Sequence, residues 1–144
     1  MPGILVGIDG SVHSKLALEW AVKEAALRHT SLTVLTVHQA VAGFWGGTLQ
    51  YAGDDALIEK ARQAAQAETD QVLAGLSGDR PTSVTVKAAQ GIPAEAILNE
   101  GADAEMIVVG SRGGGGFARL LLGSVSAHVA EHAQVPVTIL PAAR

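Results

Sequence analysis

The sequence contains no cysteine among its 144 residues. A chain without cysteine has no disulfide framework, no thiolate nucleophile and no zinc site built on cysteine. It also lacks a long apolar run, because its longest runs, such as 106–109 and 120–122, are far shorter than the roughly 20 residues of a transmembrane helix. We therefore expect a chain that does not cross a membrane.

Basic residues are few and scattered. Ten Lys and Arg stand against 14 Asp and Glu, which gives a formal net charge of -4. A nucleic-acid-binding protein needs a concentrated basic surface, so we expect no nucleic-acid partner. The first residues place no basic segment ahead of a long apolar one and do not resemble a signal peptide, so we expect a cytoplasmic location.

The size and polarity predict one folded domain over residues 1–144. Hydrophobic residues make up 48% of the chain and charged residues 17%, which is too apolar for a disordered chain. A chain of this length buries a substantial core but is too short for two ordinary domains.

Five apolar or β-branched segments alternate with helix-forming ones, and 39–53, with four glycines, is predicted to be a loop. This alternation predicts an α/β fold, an open twisted parallel sheet with helices on both faces, Rossmann-like. The predicted strands are 4–8, 32–37, 83–88, 106–109 and 137–140, and the predicted helices are 14–28, 54–76, a short one from Pro93, and 124–132.

Two segments carry the chemistry of a ligand site. In an open parallel sheet, ligands bind outside the carboxyl ends of the strands, where neighbouring connections leave in opposite directions. Asp9-Gly10-Ser11 follows the first strand, and the glycine-rich residues 110–116 follow the fourth. Glycine lets the backbone approach an anion closely, and the helix that begins at Ser124 offers N–H groups and a favourable dipole. A phosphate-bearing ligand is predicted.

The glycine spacing is more specific than the composition. Gly110 is followed by two residues, Gly113, nine residues and then Gly123-Ser124. This resembles the G-x2-G-x9-G-[S/T] nucleotide-binding motif of ATP-binding universal stress proteins. The resemblance extends through the opening 4–11 (ILVGIDGS), the block 102–113 (ADAEMIVVGSRG) and the closing 133–137 (AQVPV). It implies one universal stress protein domain with a five-stranded sheet in the order 3-2-1-4-5, ATP as ligand, and usually a homodimer. In that order the last strand, Val137–Leu140, lies at the sheet edge and is expected to form the dimer interface.

The resemblance also implies roles for individual residues. Asp9 would hold the ribose or adenine side of the nucleotide, and Val37 would present backbone atoms to the adenine. At Gly7 the chain departs from the proline that some members carry two residues before the aspartate. We add Arg112 and Arg119 as cations within reach of the phosphates. The predicted nucleotide-binding residues are Gly7, Asp9, Val37, Val109, Gly110, Arg112, Gly113, Gly123, Ser124, Val125 and Ser126.

Several of these residues have a purely structural alternative. Asp9 is also a residue that caps turns, and Ser124 is also a helix N-cap. Arg112 and Arg119 are alternatively solvated surface charges. The aromatic residues Phe44, Trp45 and Tyr51 are interpreted as a loop anchor or local core rather than as an adenine-stacking site.

One familiar motif is interpreted as misleading, and another is incomplete. His128-Val-Ala-Glu131-His132 matches the H-x-x-E-H pattern of zinc peptidases, but no Asp, Glu or His follows it to supply a third ligand, so surface histidines are the better interpretation. The lysine of a P-loop is absent, which leaves fast phosphoryl transfer without its usual parts. No catalytic residue is predicted.

The sequence therefore leaves three functions open. The first is a nucleotide-dependent regulatory module of the stress response that acts as a dimer. The second is a slow ATP hydrolase, with at most very slow turnover. The third is a cyclic AMP-binding protein of the same fold, because the same adenine and ribose contacts suit that ligand. Whether Mg²⁺ accompanies ATP stays open as well.

Overall fold

The computed structural model of the chain describes residues 3–39, 42–45, 48–51, 54–111 and 123–141. Strands and helices alternate through these residues. In chain order they are β1 Ile4–Ile8, α1 Val12–Leu27, β2 Leu32–His38, β3 Ala42–Trp45, β4 Thr48–Tyr51, α2 Asp54–Ala74, β5 Val84–Gln90, α3 Pro93–Glu100, β6 Met106–Gly110, α4 Ser124–His132 and β7 Val137–Leu140.

Five of the strands form one sheet in the order β5-β2-β1-β6-β7, and each neighbouring pair is parallel. Numbered by their succession in the chain, these strands stand in the order 3-2-1-4-5, so the predicted α/β fold and strand order are confirmed. From β1 the chain first adds β2 and β5 on one side of β1, and it later adds β6 and β7 on the other side. The point where the winding direction changes therefore lies between β1 and β6.

The prediction of a loop over 39–53 is wrong in part. β3 and β4 pair there as an antiparallel hairpin, with Ala42 opposite Tyr51 and Trp45 opposite Thr48. The sequence between the two strands is Gly46-Gly47, and two glycines between short β-forming runs are a hairpin signal. The high glycine content hid this signal. The predicted core role of Phe44, Trp45 and Tyr51 concerns side chains outside the described part of the structure and stays a prediction.

The sheet separates two apolar clusters, and alternate residues of the central strands supply them. Ile4, Val6 and Ile8 of β1 pack with α1 and α2 on one face, whereas Leu5 packs with α3 and α4 on the other. All five residues of β1 are buried. A central parallel strand covered on both faces has this continuous apolar character, which is why the run was recognisable in the sequence. None of the described helices combines the length and apolar character needed to span a membrane.

Candidate functional site

The two central strands separate at their carboxyl ends. β1 pairs with β6 through Val6 and Val108, and the ladder between them ends there, although each strand continues for two residues. On the far side of β6, the pairing with β7 continues to Gly110. A crevice therefore opens between the ends of β1 and β6, at the point where the winding direction of the sheet changes.

A tightly hydrogen-bonded turn forms one side of this crevice. Asp9 Oδ1 accepts the Ser11 N–H at 2.9 Å, and Ser11 Oγ accepts the Ser14 N–H at 3.2 Å as the N-cap of α1. The buried Ser14 hydroxyl accepts the Asp9 N–H at 3.2 Å and donates to the Ser11 carbonyl at 3.1 Å. Gly10 stands between them at φ 81°, a conformation that favours glycine. Asp9 thus does cap the turn, and the cap holds its exposed carboxylate at the crevice edge.

On the opposite side of the crevice, hydrogen bonds connect Ser111, at the end of β6, with Gly123, at the start of α4. The Gly123 N–H donates to the Ser111 carbonyl, and the Ser111 N–H donates to the Leu140 carbonyl of β7 at 2.8 Å. The Ser126 hydroxyl, in a side chain only 2% exposed, is shared between the Ser111 and Gly123 carbonyls at 3.0 and 3.1 Å. The hydroxyl hydrogen of Ser126 is therefore used in the hydrogen bonds to Ser111 and Gly123. The backbone N–H of Ser126 is the donor that remains for a ligand.

The N-terminus of α4 opens onto the crevice. Its N-cap is Gly123, not Ser124, and no side chain caps it. The first N–H groups of an α-helix have no acceptor within the helix, so those of Ser124, Val125 and Ser126 point out of its N-terminal end. Such an end carries a partial positive charge and suits an anion.

These elements enclose a cleft of about 760 Å³. This volume lies within the range of about 300–1,000 Å³ that is usual for small-molecule sites. The apolar part of its wall is built by Leu35 and Val37 of β2, Val109 of β6, and Ala94 and Ile97 of α3. The polar part is built by the Asp9 turn and the first turns of α4. A ligand with one apolar end and one anionic end matches this division.

Nine of the eleven predicted site residues line this one cleft, namely Gly7, Asp9, Val37, Val109, Gly110, Gly123, Ser124, Val125 and Ser126. Arg112 and Gly113, together with Arg119, lie outside the described residues. The structure adds lining residues that sequence reasoning missed. They include Ser14, His38, His128 and, from the start of α3, Ile92, Pro93 and Glu95. Ile92, Pro93 and Glu95 belong to no site motif in the sequence, because apolar residues and an acidic first turn are ordinary at the start of a helix.

Two glycines permit close approaches at the floor of the cleft. A Cβ on Gly110 would stand 3.0 Å from the His13 carbonyl oxygen, so glycine lets the end of β6 lie against the start of α1. A Cβ on Gly7 would stand 2.8 Å from Ile97 Cδ1. The space left at Gly7 is thus taken by Ile97 of α3, and a larger residue there would displace the apolar wall.

The charge of the cleft wall is not strongly positive. Of its described lining residues, Asp9 and Glu95 are acidic, His38 and His128 are histidines, and none is Lys or Arg. Within the described ranges, no group of three or more His, Cys, Asp or Glu residues is arranged to hold a metal ion. Asp9 and Glu95 are the carboxylates of the described cleft wall, and Mg²⁺ usually takes one or two carboxylates in a protein site.

The H-x-x-E-H histidines stack on each other along α4. The His128 and His132 ring centroids are 4.3 Å apart, with an angle of 22° between the planes. His132 Nδ1 lies 3.0 Å from the His128 carbonyl oxygen. Within the described residues, no third His, Cys, Asp or Glu is arranged with this pair to hold a metal ion.

Near Asp9, a carboxyl of α2 has a shifted protonation equilibrium. Burial raises the pKa of Glu68, Lys15 acts in the opposite direction, and the negative charge of Asp9 adds to the rise. Because the pKa of Glu68 is higher in the folded protein than in the unfolded one, protonation of Glu68 favours folding. This contribution is fully present at pH values below the ordinary pKa of 4.5 and is lost as the pH rises through the pKa of the folded state. Glu68→Gln is therefore expected to raise the urea midpoint at pH 7.5 and to have little effect at pH 4.

Glu59→Gln on the same helix serves as the control. A hydrogen bond from Arg62 lowers the pKa of Glu59, so this substitution removes a favourable contact and is not expected to stabilise at pH 7.5. A lower urea midpoint for Glu68→Gln at pH 7.5 would contradict the assignment.

An open parallel α/β sheet with a crevice at the change of winding belongs to the class of doubly wound proteins that bind ligands outside the carboxyl ends of their strands. The profile of the Universal stress protein family matches residues 2–141. The chain therefore belongs to the universal stress protein family.

Individual relatives agree with this assignment. The chain is 33% identical over 151 residues to the universal stress protein Rv1996 of Mycobacterium tuberculosis (strain ATCC 25618 / H37Rv), a match that covers 96% of this chain and 48% of that protein. The chain thus spans about half the length of the mycobacterial relatives that it matches.

Solved structures share the fold. Universal stress protein UspA from Lactobacillus plantarum superposes with a TM-score of 0.77 at 24% identity, covering 96% of this chain and 97% of that one. A universal stress protein in complex with cAMP superposes with a TM-score of 0.66 at 25% identity, covering 97% of this chain and 96% of that one.

Proposed function

We propose that this chain is an ATP-binding regulatory protein of the stress response, and that it acts as a cytoplasmic dimer. ATP in the crevice would stabilise one conformation or assembly state, which a partner then reads. The observation that carries the proposal is the crevice between β1 and β6, with the N–H groups of α4 on one side and the Asp9 turn on the other.

The division of the cleft wall into an apolar and a polar part supports one orientation of the nucleotide. Adenine would lie in the apolar part, between Val37 and the Ala94–Ile97 side of α3. The phosphates would meet the N–H groups of Ser124, Val125 and Ser126 at the positive end of α4. Asp9, held in place by its turn, would then face the ribose. Gly113 and Arg112 would add phosphate contacts from the glycine-rich segment.

Two measurements test ATP binding directly. Mass spectrometry of the small molecules released by denaturing the purified protein identifies any nucleotide that it carries. Calorimetric titration with ATP, and with GTP as the control purine, measures affinity and base preference. We expect ATP to bind and GTP to bind at least about tenfold more weakly, a difference of about 1.4 kcal/mol. Absence of binding by every adenine nucleotide would refute the proposal.

Cyclic AMP is the second candidate ligand, and the charge of the cleft favours it. The described lining holds two carboxylates and no Lys or Arg, so the single negative charge of cAMP is easier to balance there than the several charges of a triphosphate. The solved relative named above was crystallised with cAMP. Titration with cAMP, and with ATP in Mg²⁺ or EDTA, ranks the two ligands. Tighter binding of cAMP than of ATP under both conditions would replace ATP in this proposal.

We expect turnover of ATP to be so slow that the protein behaves as a binder. The sequence contains no P-loop lysine, and the described cleft wall holds no Lys or Arg to stabilise a transferring phosphoryl group. A single-turnover assay with labelled ATP measures the rate. Product formation at the roughly 1–100 per second typical of kinases would make the chain an enzyme.

We also expect a homodimer formed through β7. Residues Val137–Leu140 are half-buried, and among the described strands β7 pairs only with β6, which leaves its outer edge available. In most proteins an apolar edge strand does not stay exposed, because another chain pairs with it or another part of the protein covers it. Sedimentation equilibrium at about 20 µM should give twice the 14.7 kDa of the chain, and a monomer mass would contradict this assembly.

A further inference from the structure

The histidine pair of α4 is not explained by the function proposed above. His128 lines the cleft, whereas His132 does not. Among the described residues, neither ring nitrogen of His128 takes part in a hydrogen bond or ion pair. An exposed imidazole at the wall of an anion site is a donor that can also carry a charge.

The position of His128 brings it back toward the start of its helix. Ser124 and His128 are four residues apart, so their Cβ atoms lie on one face at about 5–6 Å from each other. Side chains of an α-helix lean toward its N-terminus, and the imidazole therefore lies over the preceding turn. That turn carries the N–H groups of Ser124 and Val125. The stack with His132, at 4.3 Å between centroids, covers one face of the ring and limits its rotation.

The ionisable groups around His128 in the cleft are carboxylates and other histidines. Asp9 from the β1–α1 turn and Glu95 from α3 face the cleft as carboxylates, and His38 lies at the end of β2, beside Val37. On α4 itself the neighbouring ionisable groups are Glu131 and His132, and β7, which also packs on α4, has no ionisable residue in its four positions. Among the described lining residues, His128 is thus the group that can place positive charge next to the α4 N-terminus.

We propose that His128 contacts the phosphates of the bound nucleotide and that its protonation strengthens binding as the pH falls. This inference rests on the nucleotide binding proposed above. A histidine ordinarily changes its charge between pH 5 and 8, so the contact is a charge-assisted hydrogen bond on the acid side of this interval and a neutral one on the other. Nucleotide occupancy then follows pH within the physiological range.

The test compares ATP and adenosine binding from pH 5.5 to 8.0 in EDTA, for wild type, His128→Gln and His128→Lys. His29→Gln is the matched control, because His29 is an exposed histidine just beyond α1 and outside the cleft. The ratio of wild-type to variant affinity is the quantity of interest, since the titration of ATP itself cancels in it. Circular dichroism confirms that each variant is folded.

His128→Gln should weaken ATP about tenfold at pH 5.5 and about twofold or less at pH 8.0, as the loss of a charge-assisted hydrogen bond predicts. Adenosine, which has no phosphate, should bind wild type and variant alike. His128→Lys should retain tight ATP binding without the change between these pH values, and His29→Gln should follow wild type.

The possible outcomes distinguish a failure of the His128 contact from a failure of the proposed nucleotide binding. If His128→Gln weakens ATP and adenosine equally, or by a factor that does not change with pH, His128 is not a phosphate contact and the inference fails while nucleotide binding stands. If wild type binds neither ligand at any pH, the proposed function fails and the inference fails with it.

Discussion

A Gly123→Val protein is expected to fold and yet to bind ATP at least about a hundredfold more weakly than wild type, a loss of about 2.8 kcal/mol. Gly123 is buried in the cleft wall and is the N-cap of α4. Its backbone, at φ -72° and ψ 167°, is one that any residue adopts. The expected loss therefore comes from the valine side chain, which would occupy the space of the phosphates, and not from backbone strain.

Gly75→Val is the matched control for this substitution. Gly75 follows α2 in an exposed position, and an added Cβ would meet nothing closer than 3.6 Å. The control should bind ATP like wild type. Calorimetric titration measures both proteins, and circular dichroism confirms that they are folded. A folded Gly123→Val protein with wild-type affinity would mean that the phosphates lie elsewhere.

The strands of the main sheet were predictable because their burial leaves a direct mark on the sequence. β1 and β6 are covered on both faces, and each reads as a short continuous apolar run. Their ends were less predictable. β2 and β5 extend to His38 and Gln90, beyond the predicted ends at 37 and 88, because the two strands continue to pair with each other after the apolar pattern stops.

The order of the strands was not contained in periodicity at all. Alternation of strands and helices predicts a parallel sheet, but several orders satisfy it, and the order 3-2-1-4-5 came from the resemblance to the family. For the β3–β4 hairpin, by contrast, the signal was present in the sequence and was overlooked. Its signal is the local pair Gly46-Gly47, and it was lost among the other glycines of 39–53.

The cleft was predictable where its chemistry is local. Asp9 and its turn are polar residues directly after a strand, the glycine and serine residues at the start of α4 suit an anion, and the structure brings both segments to one crevice. The contribution of α3 was not predictable. Ile92, Ala94 and Ile97 are apolar residues with no site motif, and only the packing of α3 beside α4 carries them to the cleft. His128 was noticed, but as part of a zinc motif for which the described residues supply no third ligand.

The packing of α1 on the sheet supports one side of the crevice, because α1 begins directly after the Asp9 turn. Leu18 of α1 is 0% exposed and belongs to the cluster that contains Val6 of β1 and Val108 of β6. Leu27, on the last turn of the same helix, is 74% exposed. The two leucines share their chemistry and their helix and differ in burial.

Leu18→Ala is expected to lower the free energy of unfolding by roughly 2–5 kcal/mol, because it removes buried methyl groups and leaves a cavity between α1 and the two central strands. Leu27→Ala should change it by no more than about 0.5 kcal/mol, as is usual for an exposed position. Urea unfolding of both variants and wild type at pH 7.5 measures the difference, and an unchanged slope would show that the unfolded state is unaffected. Equal effects of the two substitutions would mean that α1 does not pack on the sheet through Leu18. While Leu18→Ala remains folded it should still bind ATP, because Leu18 lies on the face of the sheet opposite α3 and α4 and is not among the residues that line the cleft.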